Sequence, residues 1–195
     1  MRCFVALVPP STYLGELALY IEEYSKMAPD WRWVRPEGAH MTLAFLGEIG
    51  ARAMGVAAEA VQAVSGRPLA PLIRFGRPQG FPARSTPRVW CLSPVSGIDA
   101  MRELWRAFNS ELAARTDAAG LAPLNRDWAR GRPLALHLTL ARPKHRGARL
   151  PDGGNLPGIL AEELECRRIV LFDSVTGTGG ARYRVVSEAI VSPMI

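Results

Sequence analysis

Two stretches of this sequence, residues 35–46 (RPEGAHMTLAFL) and residues 132–143 (RPLALHLTLARP), are similar to each other. Aligned without a gap, they share Arg, Pro, His, Thr, Leu and Ala, six of twelve positions. Their histidines, His40 and His137, lie 97 residues apart, about half of the 195-residue chain. A repeat at that distance predicts two similarly built halves, each of which contributes one His-x-Thr motif.

Each copy of the motif has the pattern of a half-buried β-strand. Alternate side chains of a strand point to the same face, so His40 lies beside Thr42, and His137 lies beside Thr139. The apolar residues between and after them point to the core. If the halves pack about a pseudo-two-fold axis, the two imidazoles face each other across a cleft, with a hydroxyl beside each.

The remainder of the chain alternates strands with a few helices. Helices are predicted from Ser11 or Thr12 to near Pro29, over 51–64 and over 98–115, and strands over 3–8, 31–34, 39–46, 69–75, 88–92, 134–141, 167–172 and 182–191, with a turn at 176–180. This order is too irregular for a doubly wound parallel sheet. It predicts an α+β fold of mainly antiparallel sheet with flanking helices, as a single domain over residues 1–195.

Composition limits the partners and the compartment. Lysine and arginine number 24 against 18 acidic residues, a net charge of +6, which favours an anionic partner. The three cysteines are far apart and lack C-x-x-C spacing, so neither a disulfide framework nor a zinc site is predicted. The apolar run over 3–8 is too short for a signal peptide or a membrane span, so we expect a cytoplasmic protein without a membrane partner.

A pair of histidines can perform acid-base chemistry near neutral pH. Imidazole titrates near pH 6.5, so one histidine can accept a proton from water while the other donates one to a leaving alkoxide. Threonine hydroxyls can donate to the non-bridging oxygens of a phosphate, where negative charge accumulates. The sequence has no H-E-x-x-H and no carboxylate at ligand spacing, so no metal is predicted.

The two motifs, His40-Met41-Thr42-Leu43 and His137-Leu138-Thr139-Leu140, resemble those of the two-histidine (2H) phosphoesterases. The resemblance extends over nearly the whole chain and is closest to the RNA 2′,3′-cyclic phosphodiesterases, also called 2′-5′ RNA ligases. The opening MRCFVAL, the block WVRP before the first motif, and LFDS with GARY near the C-terminus are also similar to that family.

The resemblance implies a bilobal fold with a central groove, no cofactor, and hydrolysis of a 2′,3′-cyclic phosphate to a 2′-phosphate. The implied substrates are RNA ends or small cyclic nucleotides, and a monomer is expected. His40 is implied to be the general acid and His137 the base that activates water. Thr42 and Thr139 are implied to hold the phosphate, and Arg142 matches an arginine that commonly ends the second motif block.

Two alternatives use the same groove: a nucleotide-binding module without chemistry, and ligation of a 2′,3′-cyclic end to a 5′-hydroxyl. The chain departs from the family in two places, since Ala135-Leu136 stand where the family has an aromatic residue and proline before the second histidine, and residues 121–132 are long and basic. Trp31, Trp33 and Phe45 could stack on a base at the groove, but we expect core packing for each, because alternation puts Phe45 beside Met41 and Leu43. His145 is expected to be solvated, in a basic loop that includes Arg146.

Overall fold

The computed structural model describes residues 1–82, 87–149, 154–177 and 180–194. Its strands are β1 (Arg2–Val8), β2 (Trp31–Trp33), β3 (Met41–Glu48), β4 (Pro68–Ala70), β5 (Leu72–Phe75), β6 (Gln79–Phe81), β7 (Val89–Leu92), β8 (Pro94–Ser96), β9 (Leu138–Pro143), β10 (Leu164–Glu165), β11 (Arg168–Gly177), β12 (Gly180–Ile190) and β13 (Ser192–Pro193). Its α-helices are α1 (Ser11–Met27), α2 (Ala51–Gln62), α3 (Ile98–Ala118) and α4 (Arg126–Ala129).

Eight of the strands form one large sheet. Seven follow the order β12-β11-β1-β3-β9-β7-β6, and β2 pairs with β9 beside this path. All pairings in this sheet are antiparallel, and among the described strands only the small β4–β13 pair is parallel. Together with the helices this confirms the predicted α+β class of mainly antiparallel sheet.

The two motif strands join the two parts of the sheet. β1 and β3 pair with each other and belong with β11 and β12, while β9 belongs with β7, β6 and β2. The parts meet where β3 and β9 pair at one registered position, Met41 opposite Leu138. β2 comes from the first half of the chain but pairs with β9, and β11 from the second half pairs with β1, so each part is built from both halves of the sequence.

The faces of β1 illustrate how the sheet is covered. Its alternate residues Cys3, Val5 and Leu7 point into the main core, which α1, α2 and α3 complete with residues such as Leu17 and Phe108. The opposite face carries a second apolar cluster, made of Phe4, Ala6, Val8, Val170 and Phe172. We call this second group the aromatic cluster. It lies on the face that carries the motif side chains.

Local sequence explains where the helices begin and end. α1 starts after Pro9-Pro10 and ends at Met27, two residues before Pro29. Proline has no backbone N–H to donate to a helical hydrogen bond, so a helix usually ends before one. α3 starts after Gly97, whose φ of +71° places it in the left-handed region. A side chain there would also meet the Leu72 carbonyl oxygen, at 2.1 Å from the added Cβ. Only glycine fits this junction.

Several predicted boundaries differ from the structure. The strand predicted over 69–75 is broken at Pro71 into β4 and β5, and the strand predicted from 134 starts only at Leu138. Residues 134–137, between Pro133 and β9, lie outside any strand of the structure. The predicted turn over 176–180 includes residues 178–179, which lie outside the described part of the chain.

The three cysteines Cys3, Cys91 and Cys166 are free and buried. Burial raises the pKa of the Cys91 thiol to about 11, so this thiol is protonated near neutral pH. Among the described residues, no helix has the length and apolar character needed to cross a membrane.

Candidate active site

The pairing of β3 with β9 brings the two motifs together. Met41 and Leu138 are opposite each other and fully buried, so their side chains point into the main core. The residues on either side of each point to the other face, as strand geometry requires. These four side chains are partly exposed: His40, Thr42, His137 and Thr139.

The local symmetry of this site follows from the same register. Continuing the antiparallel pairing by one residue in each direction sets His40 opposite Thr139, and Thr42 opposite His137. Each imidazole therefore has the hydroxyl of the other motif across from it, as well as the one on its own strand. A pseudo-two-fold axis passes between Met41 and Leu138.

A β-bulge follows each motif threonine. β1 pairs Ala6 with Thr42 and Val5 with Ala44, which leaves Leu43 without a partner. β7 pairs Cys91 with Thr139 and Trp90 with Ala141, which leaves Leu140 without one. In both copies the leucine and the alanine after it are buried in succession, which breaks the alternation of the strand.

The bulges decide where the fifth residue after each histidine points. Phe45 is paired with Phe4 of the aromatic cluster and is 62% exposed, on the same face as the motif side chains. The expected core packing of Phe45 is therefore wrong, because unbroken alternation would be needed to bury it beside Met41. Arg142 occupies the equivalent position in the second copy and is also exposed.

The imidazole of His40 is held on one side by the backbone and on the other by aromatic rings. Its Nδ1 lies 2.6 Å from the carbonyl oxygen of Gly38, and since a carbonyl can only accept, Nδ1 carries the hydrogen and Nε2 is left free for chemistry. The ring centroid lies 4.7 Å from that of Phe4 and 5.2 Å from that of Tyr183, which meets it edge-on at 87°. The Tyr183 ring also lies beside Gly38, where an added Cβ would be 3.4 Å from the nearest ring carbon.

This environment makes His40 a weak base in the ligand-free protein. The pKa of His40 is lowered from 6.5 to about 4, mainly by burial; the bond to Gly38 opposes this shift, and the positive charges of His137 and Arg142 contribute to it. The neutral imidazole therefore predominates at pH 7.

His137 is held in the same way with different partners. Its Nδ1 lies 3.0 Å from the carbonyl oxygen of Ala135. Ala135 is two residues before His137, just as Gly38 is two residues before His40. Its ring stacks on Phe81 with centroids 4.6 Å apart and an interplanar angle of 19°. Burial lowers the pKa of His137, the bond to Ala135 opposes this, and Arg142 lowers it further. The unusual Ala135-Leu136 segment thus still supplies the carbonyl that orients the ring.

An arginine that the sequence analysis did not single out also lies beside the site. β2 pairs with β9 so that Arg32 is directly opposite Arg142, and side chains in such a pair share one face of the sheet. The signal was present in the alternation of Trp31-Arg32-Trp33, in which Trp31 is buried against Trp90 as expected and Trp33 is half-buried. This alternation does not by itself place Arg32 beside the site, because the placement depends on β9 being the partner strand of β2.

Other residues considered in the sequence lie away from the motifs. His145 is exposed and its Nε2 lies 3.4 Å from a carboxylate oxygen of Asp30, in agreement with a solvated position. The basic segment over 121–132 contains α4, whose N-cap Asn125 also donates to the buried Asn109 of α3. Among the described residues, no group of three His, Cys, Asp or Glu side chains could hold a metal ion.

Comparison with known proteins gives a family match over part of the chain and a fold for the whole of it. Residues 8–91 match the family model described as LigT like Phosphoesterase, and no curated protein matches the chain. Similar solved structures include TT0787 of Thermus thermophilus, with 23% identity, a TM-score of 0.74 and all of both chains covered. Apo LigT of E. coli has 20% identity and a TM-score of 0.71, covering 98% of this chain and 97% of LigT.

LigT of E. coli is also known with nucleotides. Its complex with 3′-AMP has 20% identity to this chain and a TM-score of 0.69, with 97% of each chain covered. Structures of LigT with phosphate, NADP+ and ATP are similar as well. This chain therefore resembles the LigT like Phosphoesterase family over residues 8–91, and its fold is similar to that of LigT over nearly its whole length.

Proposed function

We propose that this protein hydrolyses 2′,3′-cyclic phosphates of RNA ends or small nucleotides to 2′-phosphates, without a metal or cofactor. The observation that carries the proposal is the pair of imidazoles with matched Nδ1-to-carbonyl bonds, each leaving Nε2 free on the face that also carries a threonine hydroxyl. Both tautomers are set by the backbone, so each histidine is ready to accept or donate a proton at one defined atom.

The proposed reaction uses the two histidines in opposite senses. Nε2 of His137 accepts a proton from water as the water oxygen attacks phosphorus. The bond between phosphorus and the 3′ oxygen then breaks, and Nε2–H of protonated His40 donates its proton to that oxygen. Thr42 and Thr139 donate hydrogen bonds to the non-bridging oxygens, where charge is greatest as the new bond forms.

Substrate binding favours the protonated form of His40 that the proposed reaction needs. Burial makes the imidazolium costly in the free protein, but the negative phosphate stabilises it at short range in the same low-dielectric environment. The substrate is therefore expected to bring a proton onto His40 as it binds. Arg142, whose charge acts on both histidines, is positioned to balance the phosphate charge.

The exposed face beside the histidines favours a nucleotide over a smaller cyclic phosphate. Phe45 presents an accessible aromatic ring next to the site, suited to stacking on a base. LigT, which has the same fold, is found in complexes with 3′-AMP and ATP. The net charge of +6 also favours polyanions.

The decisive experiment measures hydrolysis of 2′,3′-cyclic AMP in excess EDTA from pH 5 to pH 9, with the position of the product phosphate determined. We expect turnover in EDTA and a 2′-phosphate product. His40→Ala and His137→Ala are each expected to lose at least about 100-fold in kcat, the usual contribution of one general acid or base. His145→Ala is the matched control and should retain activity. Binding without turnover in the wild type would instead indicate a nucleotide-binding module.

The assignment of acid and base is tested with a substrate that needs no acid. A 4-nitrophenolate leaving group can depart from a phosphodiester without receiving a proton, whereas the attacking water still needs a base. His40→Ala should therefore recover much of its loss on this substrate, while His137→Ala should not. The opposite pattern would exchange the two roles.

A further inference from the structure

Arg32 and Arg142 form a pair of like charges on neighbouring strands. They are directly opposite in the β2–β9 register, and both are exposed. The neighbours of Arg32, Trp31 and Trp33, point to the other side, where Trp31 is buried and the indole nitrogen of Trp33 donates to the Ala28 carbonyl. The Arg32 side chain is thus committed to the face that carries the histidines.

Nothing in the described protein neutralises this pair. Neither guanidinium has a hydrogen bond or an ion pair with any described residue. Like charges directly opposite in an antiparallel pair destabilise the sheet. The nearby carboxylate of Asp30 is instead beside His145. Two unpaired guanidinium groups on one face form a site for an anion with more than one phosphate, or for one phosphate held twice.

The distance from the histidines separates the roles of the two arginines. Arg142 lies on β9, the strand that follows His137, and is exposed on the face that carries the motif side chains. β2 pairs with β9 at residues 141–143, beyond the position where β3 pairs with it, so Arg32 lies farther along the same edge.

We propose that Arg32 binds the phosphodiester next to the reacting cyclic phosphate and so makes the protein prefer an RNA end over a mononucleotide. This inference rests on the proposed function for the identity of the reacting group. A cyclic mononucleotide has only one phosphate, and in the proposed reaction this phosphate is bound by Arg142 and the motif side chains. An oligonucleotide adds a second phosphate on its 5′ side, and that phosphate has an unpaired guanidinium to meet it.

The test compares a 2′,3′-cyclic mononucleotide with a dinucleotide that ends in the same 2′,3′-cyclic phosphate, using adenine throughout. The measured quantity is the ratio of kcat/KM for the dinucleotide to kcat/KM for the mononucleotide. We expect a ratio well above one in the wild type and a fall of about tenfold in Arg32→Gln, as for loss of one charge-assisted contact. The change is expected in KM. The slope of log(kcat/KM) against log salt for the dinucleotide should also decrease by about 0.7.

Arg106→Gln is the matched control. Arg106 is exposed on α3, which packs on the other face of the sheet, so its replacement removes the same charge without touching the site. Its ratio should equal that of the wild type. An equal ratio in wild type and Arg32→Gln overturns the proposal, and so does an equal fall in Arg106→Gln, since net charge would then explain the effect.

A binding experiment separates this proposal from the chemistry. If neither cyclic substrate is turned over, calorimetry compares 3′-AMP with the adenine dinucleotide that carries a 3′-phosphate. A selective loss of dinucleotide affinity in Arg32→Gln would support the Arg32 contact while the proposed hydrolysis fails. Equal losses for both ligands, or no loss, would refute the contact.

Discussion

Protonation of His40 should make the folded protein sensitive to mild acid. The pKa of this histidine is lowered by burial to about 4 in the folded chain, against 6.5 in the unfolded chain. Between these values the unfolded state binds the proton and the folded state does not, so stability is lost as pH falls below 6.5. Linkage with these two pKa values gives a loss of about 2 kcal/mol between pH 7.5 and pH 5.

The variant that isolates this effect is His40→Asn. Its amide can still donate to the Gly38 carbonyl, but it does not titrate. Urea unfolding at pH 7.5 and at pH 5 gives the free energy of unfolding for each protein. We expect the wild type to lose about 2 kcal/mol more than His40→Asn over this interval. His137 and the carboxylates titrate in both proteins, so their contributions cancel in the comparison.

His145→Asn is the control for removal of a histidine. The pKa of His145 is raised by its contacts with the Arg146 carbonyl and Asp30, so its removal cannot reduce the acid-side loss. Equal losses of stability in wild type and His40→Asn would refute the reasoning, because the folded environment would then not oppose the imidazolium.

Three further predictions concern the same face. Phe81→Ala opens one face of the His137 ring to water, so the pKa of His137 should rise. The limb of the pH profile of kcat that reports the titration of His137 should then move to higher pH, while Phe81→Tyr should keep the wild-type profile. Phe45→Ala should raise KM for 2′,3′-cyclic AMP about tenfold, the value of one base-stacking contact, with Phe45→Trp retaining the wild-type KM in steady-state kinetics. Binding of inorganic phosphate at pH 5.5 should take up a proton, seen by calorimetry in two buffers of different ionisation enthalpy, and the uptake should be smaller in His40→Asn.

The pattern of the motifs was enough to predict which side chains share a face. Strand alternation sets His40 beside Thr42 and His137 beside Thr139 whatever the rest of the chain does, and the structure brings these four residues to one face. Helical periodicity and the flanking prolines similarly predicted α1. These properties are local, because they depend on bonds and sterics within a few residues.

Alternation failed where the strand is not regular. Phe45 was expected in the core, but the bulge at Leu43 turns it outward, and the bulge at Leu140 does the same for Arg142. Both bulges arise from the neighbouring strands β1 and β7, which leave the leucine unpaired. A single strand carries no sign of where its partner will skip a residue.

The sequence by itself determined the fold class and the pair of histidine motifs, because periodicity and repeated residue types can be read along the chain. The tertiary structure alone decided how these groups behave. The pKa of His40 depends on Phe4 and Tyr183, and the position of Arg32 depends on the pairing of β2 with β9. Desolvation and cross-strand register are contacts between residues distant in sequence, so only the folded chain brings them about.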